Sequence, residues 1–267
     1  MIGEQKLNGH EAAHLKKNVF SLEGKLALIT GGGSGIGFNI AQCMIEAGAR
    51  VVITGRREHA LAESVEALGE SAQYVVNDVT ELSLLEGLVA HIETHIGPID
   101  ILVNNAGINM KKPALEVSDE DFQRIVHTNL NAVFALTRAC ARRMIERRNG
   151  SILMISSMAA YYGIDRVVAY AASKSGVEGM VKVLASEFSK YNVRINAIAP
   201  GFIETAMMQT AMSSDPDRMN KALNRTPMGK FGKPDDVGWA AVFLASEGAR
   251  YITGASLPVD GGNSVGF

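Results

Sequence analysis

Leu26-Ala-Leu-Ile-Thr-Gly-Gly-Gly-Ser-Gly-Ile-Gly37 passes from an apolar run through a glycine-rich turn into a helical pattern that continues to Ala47. The run from Leu26 to Thr30 is apolar almost throughout, as in a strand buried on both faces. Glycines let the backbone turn tightly and approach a ligand closely. The free N–H groups at the start of the helix attract an anion such as a pyrophosphate. Strand, glycine turn and helix in this order open a nucleotide-binding α/β sheet. The spacing is Gly31-x-x-x-Gly35-x-Gly37, not the Gly-x-Gly-x-x-Gly of the common dinucleotide fingerprint. A bare strand-to-helix connector is the competing reading, and the position directly after the first strand weighs against it.

The rest of the chain repeats the alternation. Strand-like runs at Val51–Thr54, Gln73–Val76, Ile101–Val103, Ser151–Ile155, Val193–Ile198 and Ser256–Val259 are separated by helical patterns. The longest pattern, Asp119 to Arg147, is long enough to be bent. Apolar strands between amphipathic helices predict a doubly wound parallel sheet, Rossmann-type, in one α/β domain with helices on both faces. Ligands then bind at the carboxyl ends of the strands. Residues 1–20 are polar and read as an N-terminal extension, and 21–267 as the domain. The Met-rich segment 202–231 fits the alternation poorly and reads as a substrate lid or a surface helical pair.

The bulk properties exclude several classes. The chain has 267 residues, 47% of them hydrophobic and 20% charged, and a net charge of -2, so no nucleic-acid or anionic-membrane partner is expected. No apolar run reaches membrane-spanning length, and the start lacks a signal-peptide core, which predicts a cytoplasmic protein. The two cysteines, Cys43 and Cys140, read as buried free thiols. No metal-ligand spacing is present, and no metal is expected.

Tyr170 and Lys174 stand four residues apart, with Ser157 thirteen residues before Tyr170. On a helix, positions i and i+4 share a face. A lysine ammonium beside a phenol is expected to lower its pKa, and a serine hydroxyl alongside suits a substrate oxygen. The constellation is a proton-transfer site for a carbonyl/alcohol pair. The turn after the second strand, Ile53-Thr-Gly-Arg-Arg57, lacks the carboxylate that NAD enzymes use for the ribose hydroxyls. Arg56 and Arg57 suit the 2′-phosphate of NADP, with a solvated pair as the alternative.

Together these residues resemble the short-chain dehydrogenase/reductase family from about Leu22 to the C-terminus. Matching segments are the turn Thr30–Gly37, Asn77-Asp-Val79, Asn104-Asn-Ala-Gly107, Asn129, the trio Ser157, Tyr170 and Lys174, Pro200-Gly201 with Thr205, and Val259-Asp-Gly-Gly262. The resemblance implies that Tyr170 is the general acid in reduction and the base in oxidation. Lys174 would tune it and hold the nicotinamide ribose, Ser157 would bind the substrate oxygen, and Asn129 would anchor a water leading to solvent. Cofactor contacts would come from Gly31, Gly33, Ser34, Gly35, Ile36, Gly37, Arg56, Arg57, Asp78, Val79, Asn105, Ala106, Gly107, Tyr170, Lys174, Pro200, Gly201, Ile203 and Thr205. NADP (NADPH) is the expected cofactor, with NAD less favoured.

The stretch from Asn224 to Phe267 is similar to gluconate 5-dehydrogenase-like sugar-acid oxidoreductases, and also to 3-oxoacyl-acyl-carrier-protein reductases and glucose 1-dehydrogenases. The expected substrate is a small polar sugar or sugar acid. In carrier-protein reductases, basic residues beside the cleft receive the carrier. Arg148 would match one such position, while the other falls at Tyr191 beside Lys190. Lys111 and Lys112 read either as attractors of a substrate carboxylate or as solvated lysines. An NADP-binding sensor or scaffold without turnover is the non-enzyme alternative. The helices around Ala132–Ile145 and Val177–Phe188 carry surplus apolar positions, which together with the resemblance imply a homotetramer, with a dimer second.

Overall fold

The computed structural model describes residues 18–205, 208 and 216–266. Most of the expected N-terminal extension, residues 1–17, and most of 206–215 in the expected lid lie outside them. The strands are β1 Leu26–Thr30, β2 Arg50–Gly55, β3 Ala72–Val76, β4 Ile101–Asn104, β5 Gly150–Ile155, β6 Val193–Pro200 and β7 Ser256–Val259. The α-helices are α1 Gly35–Glu46, α2 Glu58–Leu68, α3 Leu85–His95, α4 Asp119–Val126, α5 Ala132–Arg147, α6 Val168–Phe188, α7 Pro216–Arg225 and α8 Pro234–Ala245. All neighbouring strands pair in parallel in the order β3-β2-β1-β4-β5-β6-β7. The order reverses between β1 and β4, which opens the crevice where such sheets bind ligands.

Every residue of β1 is buried, as its uninterrupted apolar run requires. One core packs α3, α5 and α6 on one face, with Leu28, Leu102 and Ile152 from the strands. The other packs α1 and α8 on the opposite face, with Ile29, Val103 and Leu153. This is the expected single-domain, doubly wound parallel sheet. Helices α1 and α8 approach so closely that a Cβ at Gly238 would lie 2.5 Å from Cys43 Sγ. Both cysteines are buried and free, and burial pushes the Cys43 thiol up to about 12.

The pattern from Asp119 to Arg147 is not one uniform helix. His127–Asn131 forms a π-helical turn between α4 and α5, within the stretch expected to bend. The end of the N-terminal stretch docks on the domain. Val19 O accepts from Gly248 N at 2.9 Å, and the Phe20 ring lies 6.2 Å from that of Phe243. A bridge between Ile203, near the start of segment 202–231, and Gly232, just past its end, closes the segment's base. Among the described residues no helix is long and apolar enough to cross a membrane.

Candidate active site

The glycine turn is built as a cradle. Thr54 O accepts from Gly31 N at 2.8 Å and Gly32 N at 3.3 Å, tying the turn to β2. Gly31 (φ +67°) and Gly35 (φ +55°) occupy the left-handed region that glycine tolerates. A Cβ at Gly37 would lie 2.5 Å from Gly31 O, so only glycine fits there. Ser34 caps α1 in position only, since its side chain makes no capping bond. The first N–H groups of α1 therefore have no side-chain cap, as an anion site requires. A Cβ at Gly35 would meet Thr205 Cγ2 at 3.7 Å, so Gly35 and Thr205 face each other across a narrow gap.

Asn105 supports this cradle rather than opening toward it. Its Nδ2 donates to Thr30 O at 2.9 Å and Gly31 O at 3.2 Å. Thr30 Oγ1 accepts from the N–H groups of Asn105 and Ala106, each at 3.0 Å. The expected contacts Asn105, Ala106 and Gly107 thus lie against the glycine turn, with the Asn105 amide engaged by backbone carbonyls.

At the other end of the crevice, Arg56 is exposed, and its Nη1 lies 3.8 Å from Asp78 Oδ2. Asp78 also accepts from Thr80 N at 3.0 Å and Thr80 Oγ1 at 2.8 Å. Burial raises the Asp78 pKa, but the Thr80 bonds, Arg56 and His127 outweigh it and hold the carboxyl below its ordinary value. Arg57 is exposed at the start of α2, with no side-chain cap bond. The neighbouring Asn77 Oδ1 is buried without a hydrogen-bond partner. A buried acceptor without a donor is costly and suits a group that receives a ligand.

Ser157, Tyr170 and Lys174 converge at the carboxyl end of β5. Lys174 is buried in α6, its Nζ donates to Ile155 O at 2.6 Å, and it stands 5.6 Å from the centroid of the Tyr170 ring. Burial lowers the Lys174 pKa to about 8, with Glu178 opposing the shift. The expected depression of the Tyr170 phenol is corrected here. Burial raises its pKa, and only the hydrogen bond with Ser157 counters the rise. The ammonium is turned to the Ile155 carbonyl and does not offset the cost of burying a phenolate. Ser157 Oγ also accepts from Ala159 N at 3.1 Å, which fixes the hydroxyl at the start of a short 3₁₀ turn.

Asn129 is fully buried within the π turn. Its Oδ1 accepts from Ile108 N at 2.9 Å, and its Nδ2 donates to Ile108 O at 2.8 Å and Ser173 Oγ at 3.2 Å. The side chain therefore fastens the loop after β4 to α6, one residue before Lys174. Pro200 ends β6, and Gly201 packs so tightly that a Cβ would lie 2.7 Å from Asp260 Cα. Ile203 is buried, and Thr205 Oγ1 accepts from Met208 N at 3.2 Å. Thus the expected residues from the glycine turn, the ends of β4, β5 and β6, and α6 share one end of the sheet.

Other expectations are revised. Lys112 Nζ pairs with Asp121 Oδ2 at 2.9 Å, so this lysine braces the loop after β4. Arg148 and Lys190–Tyr191 lie before β5 and β6, at the amino ends of those strands, whereas Ser157 follows β5. Arg148 Nη2 donates to Lys190 O at 3.0 Å. Within one chain, these groups do not flank the cleft. A cluster of Tyr162, Arg225, Thr226 and Asn263 at the site's end of the sheet escaped the sequence reading. Its members lie far apart in the chain, and none belongs to a spaced motif.

The fold and the convergent site define a dinucleotide-binding oxidoreductase. The family model described as Enoyl-(Acyl carrier protein) reductase matches residues 31–264. The chain is 40% identical over 246 residues to a 3-oxoacyl-acyl-carrier-protein reductase of Thermotoga maritima, covering 90% of this chain and 98% of that one. It is 39% identical to a 2-dehydro-3-deoxy-D-gluconate 5-dehydrogenase of Dickeya dadantii, over 92% of this chain and 97% of that one. A solved gluconate 5-dehydrogenase from Burkholderia cenocepacia, in complex with NADP and tartrate, superposes with a TM-score of 0.89 at 35% identity, covering 94% of this chain and 99% of that one. The chain belongs to the short-chain dehydrogenase/reductase family and is an oxidoreductase acting on CH–OH groups.

Proposed function

We propose that the protein is an NADP-dependent oxidoreductase interconverting a secondary alcohol and a ketone on a small sugar acid, in the manner of a gluconate 5-dehydrogenase. The observation that carries the reaction class is the convergence of Ser157, Tyr170 and buried Lys174 at the carboxyl end of β5. The uncapped start of α1, the Gly35–Thr205 gap and the unpartnered Asn77 Oδ1 fit a nicotinamide dinucleotide. Gly31 to Gly37 would hold its pyrophosphate, Arg56 and Arg57 its 2′-phosphate, Asp78 and Val79 its adenine side, and Lys174, Pro200, Gly201, Ile203 and Thr205 its nicotinamide side. When bound, the cofactor supplies the hydride or accepts it.

In reduction, the Tyr170 hydroxyl protonates the substrate oxygen, and in oxidation it removes that proton. Its raised pKa keeps it a phenol at neutral pH, ready to act as an acid. Ser157 steadies the oxygen as charge develops there. Asn129 positions the loop after β4 beside α6, and would anchor the water that leads from Lys174 to solvent. The described part of the lid segment, 216–231, would cover the substrate.

The sugar-acid reading is supported by relatives named for gluconate and dehydrodeoxygluconate, and by the placement of Arg148 and Tyr191 away from the cleft. Reduction of a carrier-bound 3-oxoacyl group is the second reading, favoured by the 40% identical Thermotoga maritima relative. Glucose 1-dehydrogenase activity and an NADP-binding sensor are the remaining alternatives. The test is kcat/KM with NADPH and NADH for 5-keto-D-gluconate, glucono-lactone and an acetoacetyl thioester. Preference for the keto acid with NADPH supports the proposal. Preference for the thioester overturns the substrate, and absence of all turnover supports the sensor. We further propose a cytoplasmic homotetramer, built on the apolar faces of α5 and α6.

A further inference from the structure

Asn263 is a fully buried polar residue that joins three segments at the carboxyl end of the sheet. Its Oδ1 accepts from the Tyr162 hydroxyl, and its Nδ2 donates to Thr226 Oγ1 at 2.9 Å. Its backbone carbonyl accepts from Arg225 Nε at 3.2 Å. The Arg225 guanidinium lies 3.9 Å from the centroid of the Tyr162 ring. Tyr162 stands five residues after Ser157, and its N–H donates to Met158 O at 3.2 Å, which keeps the ring one turn from the serine. On the other side, the Asp260 turn packs on Gly201 at the end of β6. The cluster therefore borders the cleft that holds Ser157 and Tyr170.

Arg225 is held at Nε and across its face, which fixes the plane of the guanidinium. The guanidinium also hydrogen-bonds the Tyr162 side chain, and Arg225 is exposed, which leaves further N–H donors for a ligand. The nearby Asp260 carboxylate is occupied by the N–H groups of Gly262 at 3.0 Å and Ser264 at 2.6 Å. A fixed, exposed guanidinium with N–H donors to spare matches a carboxylate.

We propose that Arg225 is the receptor for the substrate carboxylate, and that Tyr162 and Asn263 are positioning residues that hold its plane. This rests on the sugar-acid reading above. The chemistry recognised is a carboxylate on a polyol chain, set apart from the carbon that exchanges hydride at Ser157 and Tyr170.

The experiment compares D-gluconate with D-sorbitol, which has CH₂OH in place of the carboxylate, using NADP and the full-length enzyme. Arg225→Gln should lower kcat/KM for gluconate roughly ten- to a hundred-fold and leave sorbitol turnover and NADPH affinity unchanged. Arg225→Lys should recover only part of the loss, because an ammonium lacks the fork. Tyr162→Phe, which keeps the ring and loses the bond to Asn263, should raise KM for gluconate and leave kcat unchanged. Calorimetric titration of gluconate into the enzyme–NADPH complex gives the same comparison without turnover. Equal losses on gluconate and sorbitol in the folded Arg225→Gln variant would overturn the role of Arg225 and leave the sugar-acid reading standing. A wild-type enzyme that oxidises sorbitol as well as gluconate would also overturn it. Failure of the wild-type enzyme on gluconate, with turnover of a thioester, would overturn both.

Discussion

At the scale of single residues, the proton chemistry rests on a buried phenol and a buried ammonium with opposite pKa shifts. Tyr170→Phe should cost roughly two to four powers of ten in turnover, since general acid catalysis supplies about that much, while NADPH affinity stays near wild type. Burial raises the Tyr170 pKa above its ordinary value of 10.0, so kcat/KM for oxidation should keep rising with pH through the alkaline range. A plateau in that profile near neutrality would show a base other than Tyr170. Lys174 carries a stability signature of its own. Its folded pKa of about 8 lies below its ordinary 10.5, so between these values the unfolded chain binds more protons and stability rises with pH. Below about 8 the penalty is complete. Denaturation of wild type and Lys174→Met across this window should show wild type gaining on the variant as pH rises. For cofactor choice, Arg56→Ala should weaken NADPH binding by about one to two powers of ten and NADH binding little. Gly55→Asp should reverse the preference, and fluorescence titration of both cofactors measures each ratio.

At the scale of elements, two contacts fasten α8 to the rest of the fold. Arg194, inside β6, donates to Leu244 O at 2.7 Å, Ala245 O at 3.1 Å and Ser246 O at 3.3 Å, satisfying the carboxyl end of α8. Arg194→Met removes the donor of Ala245 O, while Leu244 O keeps Ser151 Oγ and Ser246 O keeps Ala249 N, and should destabilise the fold by about 1–3 kcal/mol. Helices α1 and α8 meet at Gly238, where an added Cβ would also lie 3.0 Å from Asn39 O. Gly238→Ala should therefore cost about 1–3 kcal/mol by overpacking, and Cys43→Ala in the same chain should recover part of it. Chemical denaturation of the single and double variants measures that coupling. The strand–helix alternation was legible because each period belongs to one element. The π turn at His127–Asn131 was legible only as a bend, since its hydrogen-bond pattern has no periodic signature.

At the scale of the whole molecule, large apolar side chains remain exposed on two faces. Phe134 on α5 and Val183 on α6 are 42% and 57% exposed, and Trp239 on α8 is 47% exposed. Faces of this kind suit association with further copies of the chain. Light scattering at micromolar concentration should give the mass of a tetramer. Phe134→Glu with Val183→Glu should reduce it to a smaller species. A monomeric wild type would remove the proposal.

The sequence by itself determined the parallel sheet, the glycine cradle and the spacing of Ser157, Tyr170 and Lys174. These depend on local periodicity, and on an i, i+4 relation that any helix preserves. Only the tertiary structure decided what those groups feel. Burial raised the Tyr170 phenol, and the Lys174 ammonium on the same helix donates to the Ile155 carbonyl at the end of β5. It placed Asn129 on Ile108 and Asn105 on the glycine turn, and it set Arg148 at the far end of the strands. It also brought Tyr162, Arg225 and Asn263 together from segments with no common spacing. Desolvation and long-range contact depend on which segments meet across the sheet, and that information is spread over the whole chain.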